Sequence, residues 1–123
     1  MMRLRLQLLT LTLTACFLSG CTSQSPASRQ AVVGSYVYHS QDPAAKASDH
    51  EWDRLTLQAD GKYDLVQGGP TKGKSEKTGN WTFTGGDPAE VTLDHAGYPA
   101  VVKGGEVRLM IDYDNGIWYA KAK

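Results

Sequence analysis

Residues 106–121 read EVRLMIDYDNGIWYAK, and this stretch decides the class of fold. Val107, Leu109 and Ile111 recur at every second position, which is the period of a half-buried β-strand. Asn115-Gly116 follows, a dipeptide that supplies the positive φ of a type I′ hairpin turn. Apolar and aromatic residues return directly after that glycine. The stretch therefore predicts two antiparallel strands joined by a tight turn, with the three apolar residues of the first strand on one face.

Short segments of the same kind extend back along the chain. Turn residues separate them, such as Asp60-Gly61, Gly85-Gly86 and Ala96-Gly97, whereas Gly68–Lys77 reads as a Gly/Lys/Ser-rich loop. The predicted strands are Ala31–Tyr38, Trp52–Gln58, Lys62–Gln67, Thr78–Thr84, Glu90–Asp94, Tyr98–Lys103, Glu106–Asp112 and Ile117–Lys121. Turns about every 8–12 residues, with no convincing helix, are typical of an all-β domain.

The short turns predict that each strand pairs with the next one, in a small antiparallel up-and-down meander. Such a meander leaves two exposed edges, and closure into a barrel removes them. We therefore predict an eight-stranded barrel, with an open β-sandwich as the alternative. The barrel requires the first and last strands to be hydrogen-bonded neighbours.

The N-terminal segment has the layout of a secretory signal peptide. Arg3 and Arg5 come first, and a mainly apolar run follows over residues 6–18. That run is shorter than the roughly 20 residues that a membrane-spanning helix needs. The predicted organisation is a signal peptide over residues 1–20, a lipidated cysteine with a flexible tether over residues 21–30, and one β-barrel domain over residues 31–123.

Leu18-Ser19-Gly20-Cys21 resembles the lipobox of bacterial lipoproteins. The resemblance implies cleavage before Cys21, lipidation of this cysteine, and anchoring of the domain to a membrane leaflet. Thr22 follows the cysteine where an aspartate would favour retention in the inner membrane. The expected location is therefore the cell envelope, at the outer membrane and facing the periplasm. Small polar residues over 22–29 predict the flexible tether.

Charge and cysteine content exclude several classes of function. The chain has 13 basic and 13 acidic residues; without Arg3 and Arg5 the mature part has 11 basic residues and a formal charge of −2. Nucleic-acid binding normally requires a basic stripe, so we expect no nucleic-acid partner. Cys16 lies in the signal peptide and Cys21 is assigned to the lipid. No cysteine remains for a disulfide, a thiolate metal site or a nucleophile.

A further resemblance covers most of residues 32–121. Gly34-Ser35-Tyr36, Asp60-Gly61, Gly79-Asn80-Trp81 and Tyr119 stand in an order similar to that of small lipocalin-like domains of bacterial envelope lipoproteins. These include the NlpE-type N-terminal barrel and the barrel-shaped lysozyme inhibitors. The resemblance implies a lipocalin-like barrel in the envelope. The Cys-x-x-Cys of the NlpE type is absent here, so no metal or redox role carries over, and the disulfide of many lysozyme inhibitors is absent too. The resemblance therefore supports the fold and the compartment, not an activity.

Motifs for catalysis or metal binding are weak. His50 stands among carboxylates over residues 49–53 and, with His39 across the loop, is a candidate metal ligand, but their spacing matches no recognised metal motif. Asp94 and His95 are adjacent, so on a strand they would point to opposite faces. No Ser or Thr lies in a nucleophile motif, and the Lys-Gly-Lys-Ser at residues 72–75 lacks the spacing of a phosphate loop. We predict no enzyme, no metal and no cofactor.

Two groups of residues are candidates for contact with a partner. One is an aromatic face that the pairing of the first and last strands would assemble, and the other is a basic hairpin loop. The candidate residues are Tyr36, Tyr38, Trp118, Tyr119, Lys72, Lys74 and Lys77. The aromatics are equally consistent with pairs that only stabilise the sheet.

The sequence therefore predicts a non-catalytic, lipid-anchored binding module that engages an envelope protein. Inhibition of a cell-wall hydrolase, or immunity against one, is a concrete form of this function. The alternative is a lipocalin-like carrier, because an eight-stranded barrel either holds a small apolar ligand or is filled by its own side chains. Bulky residues at the inward positions favour the filled barrel.

Overall fold

The computed structural model describes residues 24–94 and 96–123. The predicted signal peptide over residues 1–20, the predicted lipidation of Cys21 and the turn residue His95 lie outside the described residues. The strands are β1 (Gln24–Pro26), β2 (Gly34–Ser40), β3 (Arg54–Leu57), β4 (Lys62–Gly69), β5 (Gly73–Thr84), β6 (Ala89–Leu93), β7 (Ala96–Lys103), β8 (Glu106–Asp112) and β9 (Ile117–Lys121). A short helix, α1 (Arg29–Val32), precedes β2, and a 3₁₀ turn (Ala47–His50) lies between β2 and β3. Within the described residues, neither helix is long and apolar enough to cross a membrane.

Strands β2 to β9 form a closed antiparallel barrel. Each pairs with the next strand in sequence, and β9 returns to β2, with Tyr119 opposite Tyr38. This closure confirms the predicted eight-stranded up-and-down barrel over the open sandwich. It also satisfies the backbone hydrogen-bonding groups of β2 and β9, which would otherwise form two long free edges.

The inner face of the barrel is filled with large side chains. Alternate residues of the strands point inward, as Trp81 and Phe83 do on β5, while Thr82 and Thr84 are exposed. The buried members of this core are Ala27, Val32, Tyr36, Leu55, Leu57, Tyr63, Leu65, Trp81, Ala89, Val91, Leu93, Ala100, Leu109 and Tyr119. Burial of this apolar surface is the main source of the barrel's stability.

The residues before β2 cross one end of the barrel and close it. We name residues 24–33 the N-terminal strap and this end the capped end. Strand β1 pairs with the last residues of β7, which extend beyond the part of β7 that pairs with β6. Ser25 lies opposite Val102. Helix α1 then places Val32 in the core, and the Tyr36 hydroxyl donates to the Val32 carbonyl oxygen at 2.6 Å.

The strap differs from the flexible tether expected over residues 21–30. From Gln24 onward this segment has regular structure because it pairs with β7 and buries Ala27 beside Val32. Ser28 begins the helix by accepting a hydrogen bond from the Ala31 amide at 3.2 Å. A segment of small polar residues is therefore ordered here, because its backbone pairs with that of β7.

Two further differences are local. The expected loop over residues 68–77 is largely a continuation of the β4–β5 hairpin, with Gly69 opposite Gly73. Gly68 has φ 128°, and a Cβ there would lie 1.8 Å from the Gly73 carbonyl oxygen, so only glycine permits this approach of the two strands. On β8, the register with β9 shifts between Met110 and Asp112, and Ile111 is exposed, although its alternation predicted the same buried face as Leu109.

Candidate functional site: the cleft at the open end

The end of the barrel opposite the strap carries a cleft of about 220 Å³. We call it the open end; β2 and β4 finish there, and β3 and β5 begin there. The loop between β2 and β3 forms one wall of the cleft, and the β4–β5 hairpin forms the other. The lining residues are Asp49, His50, Asp53, Gln67, Gly68, Lys72, Gly73, Lys74 and Ser75.

Asp53 connects the two walls. Its side chain is buried, with only 3% of the residue exposed, and one carboxylate oxygen accepts a hydrogen bond from the Gly68 amide at 2.8 Å. The other oxygen lies 2.9 Å from Nδ1 of His50. The Trp52 amide adds a backbone bond to the Gly68 carbonyl oxygen at 2.9 Å. A buried carboxylate requires such partners, and here they fix the β2–β3 loop to the hairpin.

His50 is held from two sides. Its ring stacks on Tyr38 with centroids 3.9 Å apart and planes 9° apart, while Nδ1 faces Asp53. With Nδ1 engaged, Nε2 is the ring nitrogen that remains for a ligand, and 29% of the side chain is exposed. The cleft therefore presents an oriented imidazole edge together with the ammonium groups of Lys72 and Lys74. The two ammonium groups suit an acceptor group, such as a carboxylate, on a partner.

Three tyrosines lie beneath the cleft, inside the barrel. Tyr119 makes edge-to-face contacts with Tyr38 and Tyr98, at centroid distances of 6.4 and 6.2 Å. Gln67 Nε2 donates a long hydrogen bond, 3.5 Å, to the Tyr119 hydroxyl. Burial raises the pKa of the Tyr119 hydroxyl, and the nearby Asp53 charge raises it further. This phenol therefore stays neutral at physiological pH and supports the cleft floor through packing.

The predicted aromatic face does not form on the outside of the barrel. Strands β2 and β9 do bring Tyr36, Tyr38 and Tyr119 to one side of the sheet, but it is the inner side. Tyr36 and Tyr119 are buried, and Tyr38 is half-buried under His50. The expectation that these residues share an exposed face is therefore wrong: closure of the barrel turned that side towards the core.

Trp118 points outward but is also buried. It packs with Val101 and Met110 in a second, smaller cluster on the outer wall. The Arg108 guanidinium lies 4.2 Å from the centroid of the Trp118 ring, and the His39 ring lies 4.4 Å from it. These charged and polar groups cover the indole, so Trp118 is not part of an exposed patch.

The two histidines of the weak metal hypothesis lie on opposite sides of the barrel wall. His39 packs against the outward Trp118, whereas His50 stacks on the inward Tyr38. Across residues 24–94 and 96–123, no three His, Cys, Asp or Glu residues are grouped so that they would hold a metal ion.

The basic residues of the hairpin are exposed as expected. Lys72 and Lys74 line the cleft, and Lys77 lies further along β5. The Lys74 ammonium is 3.7 Å from a carboxylate oxygen of Glu76, a contact between two exposed side chains that contributes little to stability. The role of these lysines in binding a partner stays a prediction.

The structure adds exposed apolar residues that sequence reasoning did not select. Trp52, Ile111 and Tyr113 are 40%, 41% and 53% exposed. All three lie at the open end: Trp52 is two residues before β3, Ile111 is the penultimate residue of β8, and Tyr113 directly follows β8. The backbone amide of Gln41 donates to the Gly116 carbonyl oxygen at 2.9 Å, and this bond joins the β2–β3 loop to the β8–β9 turn. Trp52 also borders a groove of about 540 Å³ on the outer wall.

Asp53 escaped sequence reasoning for a clear reason. Asp53 lies two residues after Glu51 and four after Asp49, and nothing in this run of acids distinguishes the one that becomes buried. The burial follows only from contacts with Gly68, which is 15 residues away.

No protein-family model, curated protein or solved structure matches this chain. The site is therefore interpreted from its own geometry.

Proposed function

We propose that the chain is a non-catalytic, lipid-anchored binding module that engages an envelope protein through the open end of its barrel. The observation that carries the proposal is the position of Trp52, Ile111 and Tyr113, the large hydrophobic residues that the described chain leaves exposed. Exposed aromatic and apolar residues gathered at one end, beside charged groups, are typical of protein-binding sites. Inhibition of a cell-wall hydrolase, or immunity against one, is the specific activity that we propose to test.

The filled interior supports this proposal over the carrier alternative. The inward positions of the barrel hold Tyr36, Leu57, Leu109 and their neighbours in one packed core. A barrel of eight strands has room either for such side chains or for a small ligand. Binding through the rim therefore fits the barrel better than enclosure of an apolar molecule.

The proposed anchor and the proposed binding end are compatible. Gln24 lies at the capped end, next to Lys103 of β7. Cys21 precedes Gln24 by three residues, and a chain of that length spans at most about 10 Å. A lipid on Cys21 would therefore hold the capped end at the membrane, so that the open end faces away from it and towards other envelope proteins.

The anchor is tested by Cys21→Ser. Since each buried methylene contributes about 0.8 kcal/mol to membrane binding, loss of the acyl chains should release the protein into the soluble periplasmic fraction. Thr22→Ser, a neighbouring change that keeps the cysteine, should remain with the membranes. Pelleting of the Cys21→Ser variant would show that another feature attaches the protein.

Binding is tested by capture from an envelope extract, with the chain immobilised through its C-terminus. One stoichiometric protein is the expected result. Trp52→Ala should weaken its binding by about fivefold or more, because truncation of an aromatic that anchors an interface costs more than about 1 kcal/mol. Lys103→Ala alters an exposed residue at the capped end and should leave the affinity unchanged. Equal effects of the two substitutions would contradict binding at the open end.

A further inference from the structure

Strand β5 is longer than the strands that flank it. It runs for 12 residues, Gly73–Thr84. Strand β4 pairs with residues 73–80, but β6 pairs on the opposite edge only with residues 81–84. Along that second edge, no strand of the described chain pairs with the first part of β5. The otherwise closed barrel therefore retains a free strand edge, which begins at the cleft.

The direction of the backbone groups on this edge follows from the alternation of a β-strand. The Trp81 amide donates to the Gly61 carbonyl oxygen at 2.8 Å, on the β4 side. Because successive residues present their hydrogen-bonding groups to opposite edges, the odd-numbered residues of this part of β5 face β4. The N–H and C=O groups of Lys74, Glu76 and Thr78 therefore point to the free edge.

These groups are accessible. Every residue from Gly73 to Thr78 is exposed. The edge ends near Gly79, where the Asp94 carboxylate of the β6–β7 turn comes close: a Cβ on Gly79 would lie 2.9 Å from it. An exposed row of unpaired backbone donors and acceptors is a template for the addition of another strand.

The side chains along the edge select the kind of strand that fits. Residues 72–78 contain Lys72, Lys74 and Lys77 against a single acid, Glu76, so their formal charge is +2. Lysines on a free edge discourage pairing between two copies of the same chain, because like charges would face each other. They favour an incoming strand that carries acidic residues, since cross-strand pairs of opposite charge are stabilising.

We propose that an extended, acidic segment of a partner protein adds as a strand to the free edge of β5. The inference rests on the proposed function in that the occupant is a protein, and it specifies how that protein is recognised. Lys74 and Ser75 belong both to this edge and to the lining of the cleft. The added strand would therefore lie with one end at the cleft, where a carboxylate would also meet Lys72.

The test uses Thr78→Pro and its matched control, Thr78→Ala. Proline removes the amide donor of residue 78 and places its ring on the free edge, but it spares the pairing with β4, because that amide points away from β4. Alanine alters the same side chain and keeps the amide. Glu76→Pro and Glu76→Ala repeat the comparison at a second position on the same edge, in case Thr78→Pro does not fold.

The probe is a short synthetic peptide that alternates Glu with Val and Thr, titrated into the isotope-labelled chain. We expect slowed amide exchange and shifted amide resonances at Lys74, Glu76 and Thr78. Thr78→Pro should weaken binding more than about tenfold, and Thr78→Ala less than about twofold. A peptide with Lys in place of Glu should bind less tightly.

Equal binding to the proline and alanine variants, protection elsewhere on the barrel, or equal binding of the lysine peptide would overturn the inference. Absence of binding by the acidic peptide would overturn it as well. The proposed function is judged separately: a captured envelope protein that binds Thr78→Pro normally supports the binding module but refutes strand addition. If no protein is captured while the peptide protects β5, strand addition is supported and the proposed binding module is contradicted.

Discussion

Asp53 offers the sharpest test of how the open end is assembled. Asp53→Ala removes the acceptor of the Gly68 amide and the partner of His50 Nδ1. A buried N–H without an acceptor costs about 1–3 kcal/mol, and loss of the hydrogen bond to the half-buried imidazole adds about 1 kcal/mol. The free energy of unfolding should therefore fall by about 2–4 kcal/mol, which corresponds to a Tm lower by roughly 10–25 °C.

Urea unfolding of the chain, compared with two controls, measures this effect. Asp49→Ala removes the same charge from the same cleft. Because no hydrogen bond to the Asp49 side chain is present among the described residues, this substitution should change the free energy of unfolding by less than about 0.5 kcal/mol. Asp53→Asn keeps an oxygen for the Gly68 amide and should cost less than Asp53→Ala. If Asp53→Ala is as stable as Asp49→Ala, the carboxylate does not hold the two walls of the cleft together, and the reasoning fails.

Three further outcomes are expected. A hydrogen bond to Asp94 and burial raise the pKa of Tyr63 from 10.0 to about 12. The contribution of this hydroxyl to the free energy of unfolding is therefore complete below pH 10 and is lost as the pH rises towards 12; Asp94→Asn should lower this pKa, as followed by tyrosinate absorbance. Gly69→Ala places a Cβ 1.6 Å from a backbone oxygen of the 3₁₀ turn and should destabilise the chain by about 1–3 kcal/mol in urea unfolding; wild-type stability would exclude this contact. Leu109→Ala should cost about 2–5 kcal/mol and Ile111→Ala less than about 1 kcal/mol, because only Leu109 lies in the core; equal losses in thermal unfolding would contradict the exposed position of Ile111.

The architecture could be predicted because it depends on local patterns. Alternation over residues 106–112 and the turn at Asn115-Gly116 define a hairpin without any distant contact. Repetition of that unit, together with the cost of free strand edges, predicts closure of the meander. The pairing of β9 with β2 confirms this argument.

The faces of individual residues were less predictable where apolar residues stand on both sides of a strand. Trp118 and Tyr119 are adjacent and both aromatic, so the alternation alone does not say which one enters the core. Closure decides it: Tyr119 packs inside against Tyr38, and Trp118 is covered outside by Arg108. The candidate aromatic face failed for this reason, whereas the exposed positions of the hairpin lysines follow from local composition.

The sequence by itself thus determined the eight barrel strands in outline and their order, and it favoured closure of the barrel, because periodicity and turn chemistry act between near neighbours. Only the tertiary structure decided the ordered strap, the buried Asp53 and the free edge of β5. Each depends on contacts between segments distant in sequence: β1 with β7, Asp53 with Gly68, and the unequal lengths over which β4 and β6 pair with β5. Such contacts depend on the stagger of strands around the barrel, which a local pattern does not encode.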